Sequence, residues 1–335
     1  MIKNDIIEPV NGGMKMKEIV ISKENAGQRV DKFVRKFLND APLSLLYKTF
    51  RKKDVKVNGH WVDIQYILKE NDCLRIYLSD EIIAEYSHPK VVETLPFTHP
   101  ILYEDENILA VLKPSGLLVH GDETEKRITL ANQVLSYLMQ KGEYQPTIQH
   151  GFIPAPAHRL DRNTSGIVLF GKNLPSLQAL FDLFKTKDQI TKKYIALVVG
   201  NVEKDGEIKA PLIKDEKEGK VRIGSLKEGA KEAYTKYHVL KKYKNYTLLE
   251  IEIRTGRTHQ IRVHMASIGH PVAGDPKYGH FKQNREFKEK YHYDSQFLHA
   301  YSITFHKIEG PLSYLSYRTI EAPLCEKEEK ILQHL

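Results

Sequence analysis

The sequence predicts an α+β protein, in which a small helix-and-hairpin module precedes a larger domain that mixes helices and strands. Its 335 residues, 41% hydrophobic and 28% charged, are enough for a sizeable core and more than one folded unit. A polar stretch that contains Pro89 interrupts the apolar patterning and predicts a linker. The predicted order is a flexible leader, the small module, the linker, the large domain and a mobile tail, at residues 1–17, 18–80, 81–95, 96–325 and 326–335.

The charge balance indicates a polyanionic partner. The chain carries 51 Lys and Arg against 43 Asp and Glu, a net charge of +8. No apolar run is long enough to span a bilayer, and the first residues lack the apolar core of a signal peptide, so we expect a cytoplasmic protein with no membrane partner. The two cysteines, Cys73 and Cys325, are too few for a disulfide framework or a cysteine-rich zinc site.

The small module has the pattern of two basic helices and a hairpin. Apolar residues recur at helical spacing from Val30 to Leu38, and a second helix is predicted to end in Arg51-Lys52-Lys53. The dipeptide Asn58-Gly59 predicts a tight hairpin, and residues 74–78 alternate like a closing strand. This arrangement resembles a compact RNA-binding module first recognised in a small-subunit ribosomal protein. The basic cluster formed by Arg51, Lys52 and Lys53 is therefore expected to bind RNA phosphates.

The large domain begins with a buried strand at residues 108–112 and an amphipathic helix at 129–140. A polar loop from His158 to Gly166 then leads into an apolar, β-branched strand. The later elements are predicted, in chain order, as a helix at 175–186, a strand at 192–200, antiparallel strands at 233–240 and 247–254, a helix with Thr258 as its N-cap, and a strand at 298–305.

The loop from His158 to Gly166 concentrates charge. Asp161 lies between Arg159 and Arg162, so we expect an ionised carboxylate at neutral pH. Such a group can act as a nucleophile, a general base or an ion-pair partner. The alternative is a surface loop in which Asp161 and Thr164 cap turns and both arginines are solvated. The chemistry of the loop alone leaves these alternatives open.

Several sequence blocks together resemble one family. They are His158-Arg159-Leu160-Asp161 with Thr164-Ser165-Gly166, Lys192-x-Tyr194, Thr255-Gly256-Arg257-Thr258-His259-Gln260-Ile261-Arg262-Val263-His264, Gly274-Asp275-x-x-Tyr278-Gly279, and Leu298-His299-Ala300. The pattern is similar to that of the RluA-type RNA pseudouridine synthases. The resemblance implies the pseudouridine synthase fold, with a large, mixed, mostly antiparallel sheet. It also implies the family's reaction, in which uracil is detached from ribose, rotated and rejoined through carbon without a cofactor or metal.

The resemblance implies roles for five residues. Asp161 is the expected catalytic aspartate, and Arg262 is the active-site arginine that pairs with it. Tyr194 is expected to stack on the target base, Lys192 to share its strand face, and Arg159 to fill the space left by a flipped nucleotide. The alternatives are an interior tyrosine at 194, a structural ion pair at Arg262 and a structural lysine at 192.

Other side chains in or near these blocks are expected to contact RNA, namely His158, Arg162, Arg257 and His259. Three histidines, His158, His259 and His264, could instead suggest a metal site. His259 and His264 are five residues apart and therefore off one helical face, and no carboxylate completes the set. We therefore expect no metal.

The sequence thus predicts a monomeric RNA pseudouridine synthase that modifies specific uridines in structured RNA. Family members with the small N-terminal module act mostly on large-subunit ribosomal RNA, so 23S RNA is the first expected substrate and transfer RNA the second. One alternative is a catalytically silent RNA-binding factor in ribosome assembly. Another is a nucleic-acid hydrolase, which would need a metal or a second acid beside Asp161.

Overall fold

A computed structural model describes residues 16–22, 25–87, 94–145, 152–186, 188–215 and 219–335. Residues 1–15, most of the predicted leader, lie outside the described residues. The chain divides into two compact units. The first comprises residues up to Pro96 together with 135–155 and 172–178, and the second comprises the remainder. The first unit therefore includes two segments that the sequence analysis assigns to the large domain.

The small module contains a four-stranded antiparallel sheet and three helices. In chain order they are β1 (Lys17–Val20), α1 (Val30–Phe37), α2 (Leu43–Arg51), β2 (Val55–Val57), β3 (His60–Trp61), β4 (Cys73–Ile76) and α3 (Asp80–Tyr86). The strand order is β1-β4-β2-β3. Helix α1 buries Val30, Phe33, Val34 and Phe37 in the core of the module, as its helical spacing predicts. Helix α3 occupies part of the predicted linker, where Ser79 caps its first turn by accepting a hydrogen bond from the Ile82 amide.

The remaining elements follow in chain order. They are β5 (Ile101–Glu104), β6 (Ile108–Lys113), α4 (Leu130–Gln140), β7 (Ala155–Pro156), β8 (Ser165–Gly171), α5 (Leu174–Lys185), β9 (Ile190–Val199), β10 (Gly206–Lys209), β11 (Leu212–Asp215), β12 (Lys220–Ile223), β13 (Tyr234–Lys242), β14 (Tyr246–Ile253), α6 (Gln260–Ser267), α7 (Phe281–Tyr291), β15 (Leu298–Phe305), β16 (Thr319–Glu321) and α8 (Glu326–Gln333). Short 3-10 helices occur at Leu226–Glu228 and Gly310–Leu315.

The large sheet of the second unit runs β10-β13-β14-β9-β15-β8-β6-β5, with β16 paired to β15. Its pairs are antiparallel except β15 with β8, which is parallel. Strand β8 is buried along its whole length, whereas β14 alternates buried and half-buried residues, as their sequence patterns predict. The mixed, mostly antiparallel sheet of the predicted fold class is therefore confirmed.

The parallel contact between β8 and β15 lies directly after the charged loop and requires a glycine. Gly166 faces Ala300 across the two strands and has a φ of 116°. A Cβ atom at this position would lie 2.3 Å from the backbone oxygen of Ala300. This close approach fixes where β8 starts, and therefore where the loop before it ends.

The last residues, which the sequence predicts as a mobile tail, form helix α8. Glu328 and Ile331 are buried, with 1% and 3% of their surfaces exposed. The Glu328 carboxylate accepts hydrogen bonds from the Ser165 hydroxyl (3.2 Å), the Tyr293 hydroxyl (3.0 Å) and the Cys325 amide (3.1 Å). From the Glu/Lys-rich sequence, the Glu328 carboxylate would be expected to be solvated. In the structure it is buried, and these three donors take the place of water.

Candidate active site

A buried lysine, Lys113, donates a hydrogen bond to the backbone of the loop that carries Asp161. The Thr164 amide donates to the Asp161 carbonyl (3.1 Å) and closes a turn. Lys113, with no exposed surface, donates from Nζ to the carbonyls of Pro114 (2.8 Å), Leu117 (2.8 Å) and Arg162 (2.9 Å). Burial lowers the pKa of Lys113 to about 7, and the charge of Asp161 opposes that shift. Lys113 thus connects the end of β6 to the loop.

Arg262, the third residue of α6, forms hydrogen bonds with two carboxylates. Its Nη1 donates to Asp161 Oδ2 (2.9 Å). Its Nε and Nη2 donate to the two oxygens of Asp275 (2.7 and 2.8 Å) in a bidentate pair. Burial alone would lower the pKa of Arg262, but the hydrogen bonds and charges of Asp275 and Asp161 raise it. The guanidinium is therefore permanently charged and fixed in orientation.

The loop after α6 keeps Asp275 in place. The Asp275 carboxylate has no exposed surface and also accepts hydrogen bonds from the backbone amides of Lys277 (2.8 Å) and Tyr278 (3.1 Å). The Tyr278 ring lies beneath the Arg262 guanidinium, with its centroid 5.2 Å from the guanidinium carbon. By contrast, the Asp161 side chain is 24% exposed. The network therefore buries one carboxylate completely and leaves the other accessible from the pocket.

Asp161, Tyr194 and Arg262 line one small pocket of about 140 Å³, together with Arg159, Arg257 and His259. Burial raises the pKa of Tyr194, and the charge of Asp161 adds to the effect. Tyr194 is therefore a neutral phenol at neutral pH, which can stack or donate a hydrogen bond. The structure thus brings together the three residues to which the family resemblance assigns the chemistry.

Lys192 and His158 are not among the residues that line this pocket. Lys192 is buried, and its Nζ lies 5.7 Å from the centroid of the Phe184 ring. The ring of His158 packs on the same Phe184, with centroids 4.4 Å apart, and its Nε2 accepts a hydrogen bond from the Leu169 amide (3.1 Å). Burial, reinforced by the charge of Lys192, lowers the pKa of His158 to about 3. His158 is therefore neutral and bound to β8, and its contact with RNA stays a prediction.

The arginines around the pocket differ in their partners. Arg159 is exposed at the edge of the pocket. Arg257 is also exposed and donates from Nε to the Glu232 carbonyl (3.0 Å). Arg162 donates instead to Asp122 (3.1 Å) and Thr124 (2.9 Å), so its side chain takes part in a surface cluster outside the pocket.

The segment before α6 is organised by Gln260 rather than by the predicted N-cap Thr258. Helix α6 begins at Gln260, and the preceding residue, His259, has a left-handed backbone (φ 54°) and no capping side-chain hydrogen bond. The buried side-chain oxygen of Gln260, Oε1, accepts hydrogen bonds from the Thr255 hydroxyl (2.8 Å) and from the backbone N–H of Arg257 (3.1 Å). These hydrogen bonds take the place of a cap by Thr258, so the prediction for Thr258 is wrong.

In the small module, the basic cluster Arg51, Lys52 and Lys53 is exposed at the end of α2. Lys53 lies with its Nζ 4.7 Å from the centroid of the Trp61 ring, and Trp61 itself is 60% exposed. Cations and an open aromatic surface therefore occur together on this module, which is a combination suited to nucleic acid.

Sequence reasoning did not assign roles to Lys113, Asp275 and Tyr278. The sequence nevertheless marks all three positions. Lys113 follows a buried strand and precedes Pro114, and Asp275 and Tyr278 belong to the block Gly274-Asp275-x-x-Tyr278-Gly279. Each has at least one partner far away in sequence, Arg162 for Lys113, Arg262 for Asp275 and Val221 for Tyr278, so only the folded chain shows these contacts.

The three histidines considered as metal ligands have separate partners. The imidazole of His264 is bonded to the Thr235 hydroxyl (2.8 Å) and the Ala210 carbonyl (2.9 Å). Within the described ranges, no three His, Cys, Asp or Glu side chains are grouped so that they could hold a metal ion. The helices of the described chain are all too short or too polar to cross a membrane.

Comparisons with known proteins all find RNA pseudouridine synthases. Residues 107–267 match the family model described as RNA pseudouridylate synthase. The chain is 35% identical to ribosomal large subunit pseudouridine synthase C of Pasteurella multocida, over 96% of this chain and 94% of that protein. It is 32% identical to the uncharacterised RNA pseudouridine synthase YlyB of Bacillus subtilis, over 96% and 99%. The solved structure of human RNA pseudouridylate synthase domain containing 4 has a similar fold (TM-score 0.55, 23% identity, covering 70% of this chain and 92% of that chain).

Proposed function

The chain belongs to the RNA pseudouridylate synthase family, and we propose that it converts specific uridines of large-subunit ribosomal RNA to pseudouridine, with Asp161 as the catalytic carboxylate. Arg262 and Tyr194 are the proposed partners of Asp161 in the same pocket. Proteins named for large-subunit ribosomal RNA match this chain over nearly its full length, which supports ribosomal RNA over transfer RNA as the substrate.

One observation carries the catalytic assignment. Arg262 is held by the buried Asp275 through two hydrogen bonds, and it directs its remaining nitrogen, Nη1, to Asp161 at 2.9 Å. The second carboxylate thus anchors the arginine, and the arginine orients the first carboxylate toward the pocket. Such preorganisation places a fixed negative charge beside the bound nucleotide, so no free energy is needed to reorganise the site at the moment of reaction.

The reaction requires that the bond between ribose C1′ and uracil N1 break, that the uracil rotate, and that C1′ join C5. The proton on C5 then leaves, and N1 takes a proton. The Asp161 carboxylate can assist either by attack on the uracil ring or by reaction at the anomeric carbon. The neutral Tyr194 is suited to stacking on the base while it rotates. Lys192 lies outside the pocket lining, so we assign it a structural role behind Tyr194.

A uridine within a folded RNA must leave its stack to enter the pocket, which costs a few kcal/mol. Arg159 is exposed at the pocket edge, and we assign to it the filling of the vacated space. Arg257 and His259 contact the flipped nucleotide in this proposal. The basic cluster Arg51, Lys52 and Lys53 binds phosphates of the surrounding RNA.

Release of tritium from RNA labelled at C5 of uridine tests the proposal directly. Wild-type protein should release tritium from large-subunit RNA, and Asp161→Ala and Asp161→Asn should release none above background. The transfer-RNA arm of the same assay decides between the two substrate classes. Tritium release by Asp161→Ala would refute the catalytic assignment.

The same assay separates the other candidate functions. RNA that is bound but neither modified nor cut by wild-type protein would support a silent assembly factor. RNA cleavage would support the hydrolase. The proposal also retains a monomeric protein that acts in the cytoplasm, and sedimentation of the free and RNA-bound protein would measure the oligomeric state.

A further inference from the structure

His259 occupies an unusual position next to the catalytic carboxylate. It lies directly before α6 with φ 54° and ψ 19°, a left-handed conformation that residues other than Gly, Asn and Asp rarely adopt. Its Nε2 lies 3.7 Å from Asp161 Oδ2, which is too long for a hydrogen bond. The imidazole lines the same pocket as Tyr194. The backbone conformation therefore presents the ring to the place where the base must bind.

The hydrogen bonds of Tyr278 favour one tautomer of His259. The Val221 amide donates to the Tyr278 hydroxyl oxygen (3.0 Å), and this oxygen lies 2.8 Å from His259 Nδ1. If Tyr278 donates its proton to Nδ1, both groups are satisfied, and the imidazole proton is on Nε2. In the opposite tautomer, the hydroxyl proton of Tyr278 would have no acceptor among the described residues. Burial lowers the pKa of His259 against the charge of Asp161, which keeps the ring neutral.

The Nε2–H group of His259 consequently faces the pocket with no hydrogen-bond partner in the described part of the chain. The His259 side chain is 17% exposed, so water can accept from this donor in the free protein, and a base that displaces that water must offer an acceptor in its place. Arg262, the other donor at this depth, already directs Nε, Nη1 and Nη2 at carboxylates. Of these two side chains, His259 is therefore the one whose donor is available to the base edge.

We propose that His259 recognises the target base by donating a hydrogen bond from Nε2 to a carbonyl oxygen of uracil. The inference rests on the proposed function and names a group that contacts the base in that pocket; a contact to the C4 oxygen would also select uracil. Uracil offers carbonyl oxygens at C2 and C4, whereas cytosine carries a donor amino group at C4. A donor facing the C4 position therefore accepts uracil and repels cytosine.

Two substitutions separate this role from a role in shaping the backbone. Asparagine tolerates the left-handed conformation well, but its amide is too short to reach the position of Nε2. Glutamine fits the backbone less well, but its Nε2 amide can donate near the position of the imidazole Nε2. Base recognition therefore predicts that His259→Gln is more active than His259→Asn, and backbone tolerance predicts the reverse order.

The experiment measures kcat/KM of the full-length protein on a large-subunit RNA fragment whose target uridine is replaced by 2-thiouridine or 4-thiouridine. Sulfur is a weak acceptor, so one of the two replacements should reduce the wild-type value about tenfold, the effect of one lost hydrogen bond. His259→Asn should lose about tenfold on uridine and nothing further on that same thio-RNA. His259→Gln should retain more activity than His259→Asn.

The inference would be overturned if, for both thio-RNAs, the loss of kcat/KM from His259→Asn and the loss from sulfur simply multiplied. It would also be overturned if His259→Gln were no more active than His259→Asn. Thermal unfolding of each variant shows that the comparison is made on folded protein. Unmodified RNA is the control that keeps the two proposals distinct. If wild-type protein forms no pseudouridine in it, the proposed function fails. If pseudouridine forms normally but no coupling with sulfur is found, only the role of His259 fails.

Discussion

Replacing Asp275 by asparagine tests whether this buried carboxylate holds Arg262 in its position beside Asp161. In the native protein, Asp275 Oδ1 accepts from Arg262 Nη2 and from two backbone amides, while Oδ2 accepts from Arg262 Nε at 2.7 Å. The best orientation of an asparagine keeps its oxygen at the Oδ1 position. Its NH2 group then faces the Arg262 Nε–H, donor against donor, and the negative charge is lost.

The expected cost follows from these contacts. Removing one partner of a buried ion pair costs about 3–5 kcal/mol, and Arg262 keeps Asp161, so we expect the low end, about 3 kcal/mol of unfolding free energy. An arginine that shifts by about 1 Å can lower the rate about 100-fold. Asp275 has no exposed surface and cannot touch RNA. The loss should therefore appear in kcat, with KM for RNA unchanged.

Urea denaturation and steady-state tritium release measure the two effects on the same preparation. Asp294→Asn is the matched control, since Asp294 is 70% exposed and its pairing with Lys288 is a surface contact of 3.5 Å. We expect the control to change the unfolding free energy by less than about 0.5 kcal/mol. An Asp275→Asn protein with wild-type kcat and wild-type unfolding free energy would refute the account of the Arg262 anchor.

Three further predictions concern other parts of the chain. The pKa of His158 is about 3 in the folded chain, against an ordinary value of 6.5, so the unfolded chain binds the proton first as the pH falls. The contribution of His158 to the free energy of unfolding is therefore complete above pH 6.5. It declines between pH 6.5 and pH 3 by up to about 1.4 kcal/mol per pH unit. His158→Gln should flatten this decline in urea titrations. Replacing all three of residues 51–53 by alanine should make the slope of log binding constant against log salt concentration shallower by about two, as measured by filter binding to RNA. An unchanged slope would show that this cluster does not bind RNA phosphates. Gly166→Ala should lower the unfolding free energy by more than about 3 kcal/mol in thermal melts, whereas Gly142→Ala, also at positive φ (78°) but with no atom near its Cβ, should cost about 1 kcal/mol.

The sheet could be predicted in most of its strands because their patterns are local. Strand β15 is observed at Leu298–Phe305, the span that its composition predicts. Strands β13 and β14 pair antiparallel as expected, because alternation fixes which face of each strand is buried. The start of α6 could not be predicted in this way. Its first turn depends on Gln260, whose partners at Thr255, Arg257 and Tyr234 come from the loop and a separate strand.

Helix α8 shows why a composition rule failed at the end of the chain. A Glu/Lys-rich segment is usually solvated, and local sequence gives no reason to bury Glu328. Its hydroxyl partner Ser165 is 163 residues away in sequence, at the start of β8. A buried polar contact of this kind exists only after folding, so neither periodicity nor charge could reveal it.

The candidate site was predictable only in part. The sequence blocks pointed to Asp161 and Arg262, which are 101 residues apart and bonded in the structure. They did not reveal that Asp275 anchors the arginine, or that Lys113 supports the loop, since these residues act through partners rather than through exposed chemistry. His158 adjoins the site in sequence, yet the folded chain directs its imidazole to the backbone of β8.

The most direct test of the account is the pseudouridine content of ribosomal RNA from cells that lack this protein. Pseudouridine mapping of large-subunit RNA should show one or more positions that are unmodified in the deletion strain. Wild-type protein should restore them, and stably expressed Asp161→Asn should not. Restoration by Asp161→Asn, or an unchanged pseudouridine map in the deletion strain, would contradict the central claim.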